Sequence, residues 1–329
     1  MKTNTNDLTL CVGIDVSKDT MDVYYNNSLG EHHLKVLNNL QGFKQLIQVI
    51  GKEHHYVMET TGPYYLKLAF YLKRLGCKVS VENSLIIKRF IQMNGERNKN
   101  DKKDARWIFR YGQLQNPKEW EIPSEVYMES IQIQNAIALL TKQRTMTGNL
   151  LHSMEQMPVP EKTSMKVLVK HLAVIDKELN KLEEDLLSKI QTWVPDQLEN
   201  LLSIPGLGKR TASQLIIFTD GFSKVDNYRQ LISMAGLSPK EFSSGTSVKK
   251  RIRICKMGGS GLRNLLYMCS MSAIKKNKAC RELYERIKAK GKNGKLALIA
   301  VCNKLLKQAF AIAKSGMSYK ENYSSARTC

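Results

Sequence analysis

Acidic side chains at four places in this chain could together do metal chemistry. Asp15 closes the apolar run LTLCVGIDV (8–16), in which Gly13 lets a second backbone segment approach closely. Glu59 stands the same way at the end of another apolar run, HYVMETTG (55–62). Asp101 and Asp104 lie three apart in NKNDKKDARWIFRYG (98–112), a spacing that places both on one helix face. Four carboxylates meeting without cations would repel one another and raise their pKa values. A divalent cation resolves that conflict, and Mg²⁺ (or Mn²⁺) favours hard oxygen ligands while leaving positions open to substrate phosphate. Two such ions can activate an attacking oxygen and stabilise a leaving one in phosphodiester chemistry. The neighbouring Lys99, Lys102, Lys103, Arg106 and Arg110 suit a nucleic-acid backbone. Taken singly, Asp15 reads equally well as a turn or capping residue.

Two further stretches carry phosphate chemistry. In LLSIPGLGKRTASQLI (201–216) the order of Pro, Gly and apolar residues is that of a helix-hairpin-helix. Its tight turn at Gly206 and Gly208, followed by Lys209, would offer backbone N–H groups to phosphate without reading sequence. A plain helical turn has the same pattern. In AGLSPKEFSSGTSVKKRIRICKMGGSGLRNLL (235–266), Ser243, Ser244 and Ser247 occupy a Gly-containing loop directly before KKRIR. A serine attacking phosphate needs cations on the non-bridging oxygens, and Lys249, Lys250, Arg251, Arg253, Lys256 and Arg263 supply them. By composition alone the segment is a phosphate-binding loop.

Holding these groups requires a sheet. LTLCVGIDV, TMDVYYNN and EHHLKVLN read as three successive strands, the first two a hairpin. After a helix around LQGFKQLIQVIG, HYVMETTG is a strand and PYYLKLAFYLKRLG a helix opening with Pro63 and closing with Gly76. CKVSVEN adds a strand before helix resumes near Ser84, which predicts a mixed α/β sheet. From about Pro123 to Trp193 the pattern is all helix. Leu168, Leu172, Ile175, Leu179, Leu182 and Leu186 recur alternately four and three apart, a coiled-coil seam that breaks register at Ile190. MPVPEK (157–162) separates two long helices, so an antiparallel helical hairpin is expected, either packed in a core or projecting as an oligomerising arm. The remainder is helical and basic. The predicted division is 1–117, 118–197 and 198–329.

Bulk composition narrows the partner. The 329 residues carry 51 Lys and Arg against 30 Asp and Glu, a formal charge of +21. Nineteen of those cations, against two Glu, fall between residues 249 and 320. Such an excess calls for a polyanion, nucleic acid or an anionic membrane surface. Membrane is the weaker choice: LALIAVC (296–302) is far shorter than the ~20 apolar residues of a span. The N-terminus lacks the apolar core and cleavage site of a secretory signal. Seven widely spaced cysteines without a CxxC pair fit a reducing cytoplasm and argue against disulfides or a zinc site.

In order along nearly the whole chain, GIDVSKDTMDV, VMETTGPY, NKNDKKDARWI, SIPGLGKRTASQLI, AGLSPKEFSSG and KMGGSGLRNLL resemble the insertion-sequence 110 family of transposases and the related Piv-type DNA invertases. That resemblance implies a RuvC-like N-terminal domain, a variant of the RNase H fold. Its Asp, Glu, Asp, Asp tetrad matches Asp15, Glu59, Asp101 and Asp104 as metal ligands. It implies a C-terminal transposase domain whose essential serine matches Ser244, with Ser243 adjacent, forming a phosphoserine link to DNA. It further implies donor and target DNA as substrates, a noncoding bridge RNA paired to both, and a homo-oligomer, dimer or tetramer, joined by the helical arm with sites composite between protomers. Two positions depart from the family pattern: Cys255 stands where Ser is usual, and Gly259 where Asn is usual. Other readings of the same residues are a RuvC-like junction nuclease using water, a sugar-kinase-like ATPase, and an architectural DNA-binding protein. The ATPase would need a later Gly-rich phosphate loop that the basic helical sequence does not offer, and the architectural protein leaves the acids unexplained.

Overall fold

Strand β1 (Cys11–Val16) is buried along both faces, and its alternate residues enter different cores. A computed structural model describes residues 10–60, 62–95, 100–240, 243–244, 248–249 and 253–321, the backbone alone at 101, 243, 244, 248 and 249. After β1 come β2 (Thr20–Asn27), β3 (Gly30–Leu37), α1 (Leu40–Ile50), β4 (His55–Glu59), α2 (Leu66–Arg74), β5 (Lys78–Glu82), α3 (Ser84–Met93) and α4 (Asp101–Gln115). The sheet order is β3-β2-β1-β4-β5; β1, β2 and β3 pair antiparallel, and β4 joins β1 and β5 in parallel. Val12, Ile14 and Val16 pack with Phe43 and Leu46 of α1 and Leu68 and Leu72 of α2. Cys11 and Val57 pack on the opposite face with Ile87 and Phe90 of α3 and Ala105, Ile108 and Phe109 of α4. Helices on both faces explain why β1 and β4 read as continuous apolar runs rather than alternating ones. Asn39, Asn83 and Asn100 cap α1, α3 and α4 by accepting from Gly42, Leu85 and Lys103 N–H.

The second unit is helical. It comprises α5 (Glu125–Glu155), α6 (Lys162–Trp193), α7 (Pro195–Leu202), α8 (Lys209–Thr219), α9 (Tyr228–Met234), four two-residue strands, α10 (Ser260–Lys276), α11 (Lys278–Ala289) and α12 (Gly294–Ser315). The strands are β6 (Pro239–Lys240), β7 (Ser243–Ser244), β8 (Val248–Lys249) and β9 (Arg253–Ile254). Ion pairs Lys189–Glu129 at 2.6 Å and Arg144–Asp176 tie α5 and α6 together as an antiparallel hairpin. Near its base Ile175, Leu179, Leu186 and Ile190 share a core with Leu201, Leu215, Leu266 and Leu305. That shared core is why the chain forms two compact units, Met1–Pro123 and Ser124–Cys329, where composition suggests three. Among the described residues one helix, α12, is long and apolar enough to cross a membrane. Its Val301, Leu305, Leu306 and Ala309 are buried in this core.

Candidate active site

The parallel register of β1 and β4 runs from Cys11 opposite His55 to Ile14 opposite Met58. Asp15 and Glu59 are the next residues along these two strands, and neighbouring strands lie ~4.8 Å apart. Alternation puts both on the face of Gly13 and Val57, the face covered by α4. Helix α4 runs against β1. A methyl at Gly112 would meet Val57 Cγ2 at 2.9 Å, and one at Gly13 would meet Phe109 Cα at 2.6 Å. Following α4 back one more turn brings positions 101 and 104 towards the level of Asp15. Asp15, Glu59 and Asp104 are each half-buried. All three have interaction partners within the fold. The side chain of Asp101 lies outside the described residues. Among the described residues no group of three or more His, Cys, Asp or Glu is gathered to hold a metal ion. The donor set itself, carboxylate oxygens only, suits a hard divalent cation.

A neighbour that the sequence reading misses is Asp22. It pairs with Asp15 across the β1–β2 hairpin and is 6 % exposed. His33 Nε2 lies 2.8 Å from its Oδ1 and Lys35 Nζ 3.5 Å from its Oδ2. The hairpin register, legible in GIDVSKDTMDV, was the signal that could have found it. Beside it, Tyr24 Oη donates to Glu31 at 2.6 Å and lowers the pKa of that carboxyl. Arg106, counted with the nucleic-acid cations, also donates to Glu31 at 3.0 Å and lies over the Tyr24 ring. Arg110 lies over Trp107, Lys102 is exposed and Lys103 half-buried; Lys99 falls outside the described residues.

In the second unit the turn between α7 and α8 has a steric cause. Gly206 adopts φ +96°, and a methyl there would meet Ala273 Cα of α10 at 2.6 Å. Exposed Gly208 is the N-cap of α8, whose first turn holds Lys209 and Arg210 and no acid. Cations at the positive end of a helix are unfavourable unless an anion joins them, and Arg210 is already paired with Glu183 of α6 at 3.1 Å.

Ser244 lies in a β-hairpin rather than an open loop. Pro239 pairs with Ile254, Lys240 with Arg253, Ser243 with Lys249 and Ser244 with Val248. Ser244 is the last described position before Val248; Lys250, Arg251 and Ser247 fall outside the described residues, as do the side chains of Ser244 and Lys249. At the hairpin base, Cys255 N–H donates to Ser238 O at 2.8 Å and Lys256 N–H to Gly236 O at 3.0 Å. Lys256 has φ +58°, and its side chain and that of Arg253 are exposed. Arg263 Nη1 donates to Ala235 O at 3.0 Å and Gly258 O at 3.2 Å. Its guanidinium thus fastens the two glycine-containing motifs together beneath the serine hairpin.

Comparison with known proteins adds a family. Residues 198–285 match the model described as "Transposase IS116/IS110/IS902 family", and residues 12–156 match a DEDD-type IS110 model described as "Transposase". The DEDD match implies dependence on a divalent metal. The chain is 29% identical over 328 residues to a pilin gene-inverting protein of Moraxella lacunata, covering 94% of this chain and 97% of that one. The Moraxella bovis pilin gene-inverting protein is similar to the same extent. A 43.6 kDa protein of insertion element IS110 from Streptomyces coelicolor is 29% identical over 120 residues, 36% of this chain and 29% of that protein.

Proposed function

We propose, from the premise that this chain belongs to the IS110-family transposases and is a DNA recombinase, that it mobilises its own insertion sequence by metal-assisted serine attack on DNA phosphodiesters. In this reading Asp15, Glu59, Asp101 and Asp104 hold Mg²⁺ or Mn²⁺ at the end of a RuvC-like sheet. Ions bound there would offset phosphate charge and favour the ionised oxygen of nucleophile and leaving group. Ser244 is the nucleophile. Its Oγ bonds to phosphorus and gives up its proton, the P–O bond to one deoxyribose breaks, and the released oxygen takes a proton. One phosphodiester replaces another, so no nucleotide cofactor is consumed. Attack by the freed end of a partner strand on the phosphoserine reverses the step and completes the exchange. Sequence choice falls to an element-encoded bridge RNA paired with donor and target DNA, while protein cations hold backbones. The turn from α7 to α8 acts as a helix-hairpin-helix, and the protein works as a homo-oligomer.

The observation that supports this reading is the parallel register of β1 and β4, which runs to Ile14 opposite Met58, one residue before Asp15 and Glu59, with Ala105 and Phe109 of α4 close against Gly13. Carboxylate oxygens alone make a donor set that suits a hard divalent cation. The Moraxella relatives are named for inverting a gene, which is strand exchange without net gain or loss of DNA. Trapping on denaturing gels tests the chemistry. With Mg²⁺ and a nicked recombination substrate, the protein should carry DNA covalently, and Ser244→Ala, Asp15→Ala or EDTA should abolish the adduct. Cleavage without any adduct would instead identify a nuclease that uses water, and full recombination by Ser244→Ala would move the nucleophile to Ser243.

A further inference from the structure

A cleft of about 570 Å³ opens between the helical arm and the C-terminal helices, inside one compact unit. Its floor is apolar, formed by buried Ile137 and Leu186 with half-buried Leu187 and Leu265. Arg210 is fixed in its wall. Nη2 donates to Thr141 Oγ1 at 2.6 Å and Nε pairs with Glu183 at 3.1 Å, which holds the guanidinium plane in one orientation. Lys142 and Lys209 also line it and are exposed, and Gln134, Gln214 and Asn264 contribute amide groups. One further wall residue is decisive. Ser213 is 2 % exposed, and its Oγ has no hydrogen-bond partner among the described residues. Buried hydroxyls are nearly always satisfied, and a helical serine ordinarily bonds a carbonyl of the preceding turn.

We propose that this cleft receives a single unpaired nucleotide of the DNA or RNA held by the enzyme, a reading that rests on the DNA-recombinase assignment. An apolar floor and an immobilised guanidinium plane match the two faces of a base. Amides and a hydroxyl, donors and acceptors together, match its edge, and Ser213 gains the partner it lacks. Lys142, Lys209 and the N-terminus of α8 match the attached phosphate. The volume suits a ligand of nucleotide size. Strand exchange must unpair bases at the junction, so such nucleotides arise in the reaction itself.

The test uses the full-length protein and duplexes carrying 2-aminopurine, either fully paired or as a one-nucleotide bulge, made once in DNA and once in RNA. The bulged duplex should bind about tenfold more tightly than the paired one, the usual effect of stacking one base on protein. A preference in either the DNA or the RNA arm supports the cleft and names the strand it serves. Ala138→Trp, at an exposed position of the cleft, should erase the preference while leaving paired-duplex binding and the melting temperature unchanged. The double variant Gln214→Ala/Asn264→Ala should weaken the preference without a bulky insertion. Equal binding of bulged and paired duplexes, or a preference that survives Ala138→Trp, overturns the proposal. Absence of binding to any duplex overturns it together with the recombinase reading, whereas paired-duplex binding alone leaves that reading standing.

Discussion

His55 is a basic group that the fold keeps neutral. It lies in β4 with 2 % exposure, and its Nε2 is 2.7 Å from Ser80 Oγ. That hydroxyl spends its single proton on Pro117 O at 3.0 Å, so the imidazole donates Nε2–H and leaves Nδ1 bare and without a partner among the described residues. Burial, reinforced by Lys78, depresses the pKa from 6.5 to about 4. The unfolded chain therefore takes up a proton at a pH where the folded protein refuses it. Stability from this group is fully present above about pH 6.5 and is lost as pH falls towards 4, by at most about 3 kcal/mol. In His55→Gln, which keeps a donor for Ser80, the fall in melting temperature between pH 6.5 and 4 should be shallower by one proton equivalent. An unchanged slope would mean that the imidazole ionises freely. Residue-scale chemistry is only partly legible in sequence. Asp15 and Glu59 stand out because they end apolar runs. Arg106 and Arg263 look like cations for nucleic acid because their acceptors, Glu31 and the carbonyls of Ala235 and Gly258, are remote in the chain or belong to the backbone.

At the scale of elements, glycines set how closely helices can approach. Gly13 reads in sequence as a site of close approach, and the structure identifies the partner as the backbone of α4 at Phe109. A backbone obstacle cannot swing aside as a side chain can. Gly13→Ala should therefore push α4 off the sheet and destabilise the protein by about 3 kcal/mol, as overpacking does in tight cores. Because α4 carries Asp101 and Asp104, two of the proposed metal ligands, the same variant should lose Mn²⁺ affinity in calorimetry even below its melting temperature. Retained affinity would separate α4 from metal binding. The mixed sheet and its helices were legible from run lengths and Pro and Gly punctuation. The short strands around Ser244 were not, since two-residue strands carry no periodicity; near their base Gly236 and Gly258, with φ +67° and +113°, approach each other closely.

Over the whole molecule, composition locates a boundary near residue 197, whereas the hydrophobic core ignores it. Ile175, Leu179 and Leu186 serve the same cluster as Leu266 and Leu305, so the arm and the basic helices form one unit. A heptad seam indicates that residues are covered without saying by what, which is why the seam left a core helix and an arm both open. The structure divides the difference along the hairpin: its base is core, and its far part is bare. Leu139, Met146, Leu150, Met157, Val159, Val167, Val169 and Val174 are all at least half exposed. Clusters of large apolar side chains on a water-soluble surface mark association sites. Replacing Leu139, Met146 and Leu150 by Glu should therefore convert an oligomer into a monomer in light scattering. These residues contribute little to the buried core, so the melting temperature at a concentration where both proteins are monomeric should not fall. On the proposal that the protein works as a homo-oligomer, recombination should fail in parallel. A wild-type protein that is monomeric at all concentrations, yet recombines, would remove the arm from the mechanism and leave its apolar surface to some other partner.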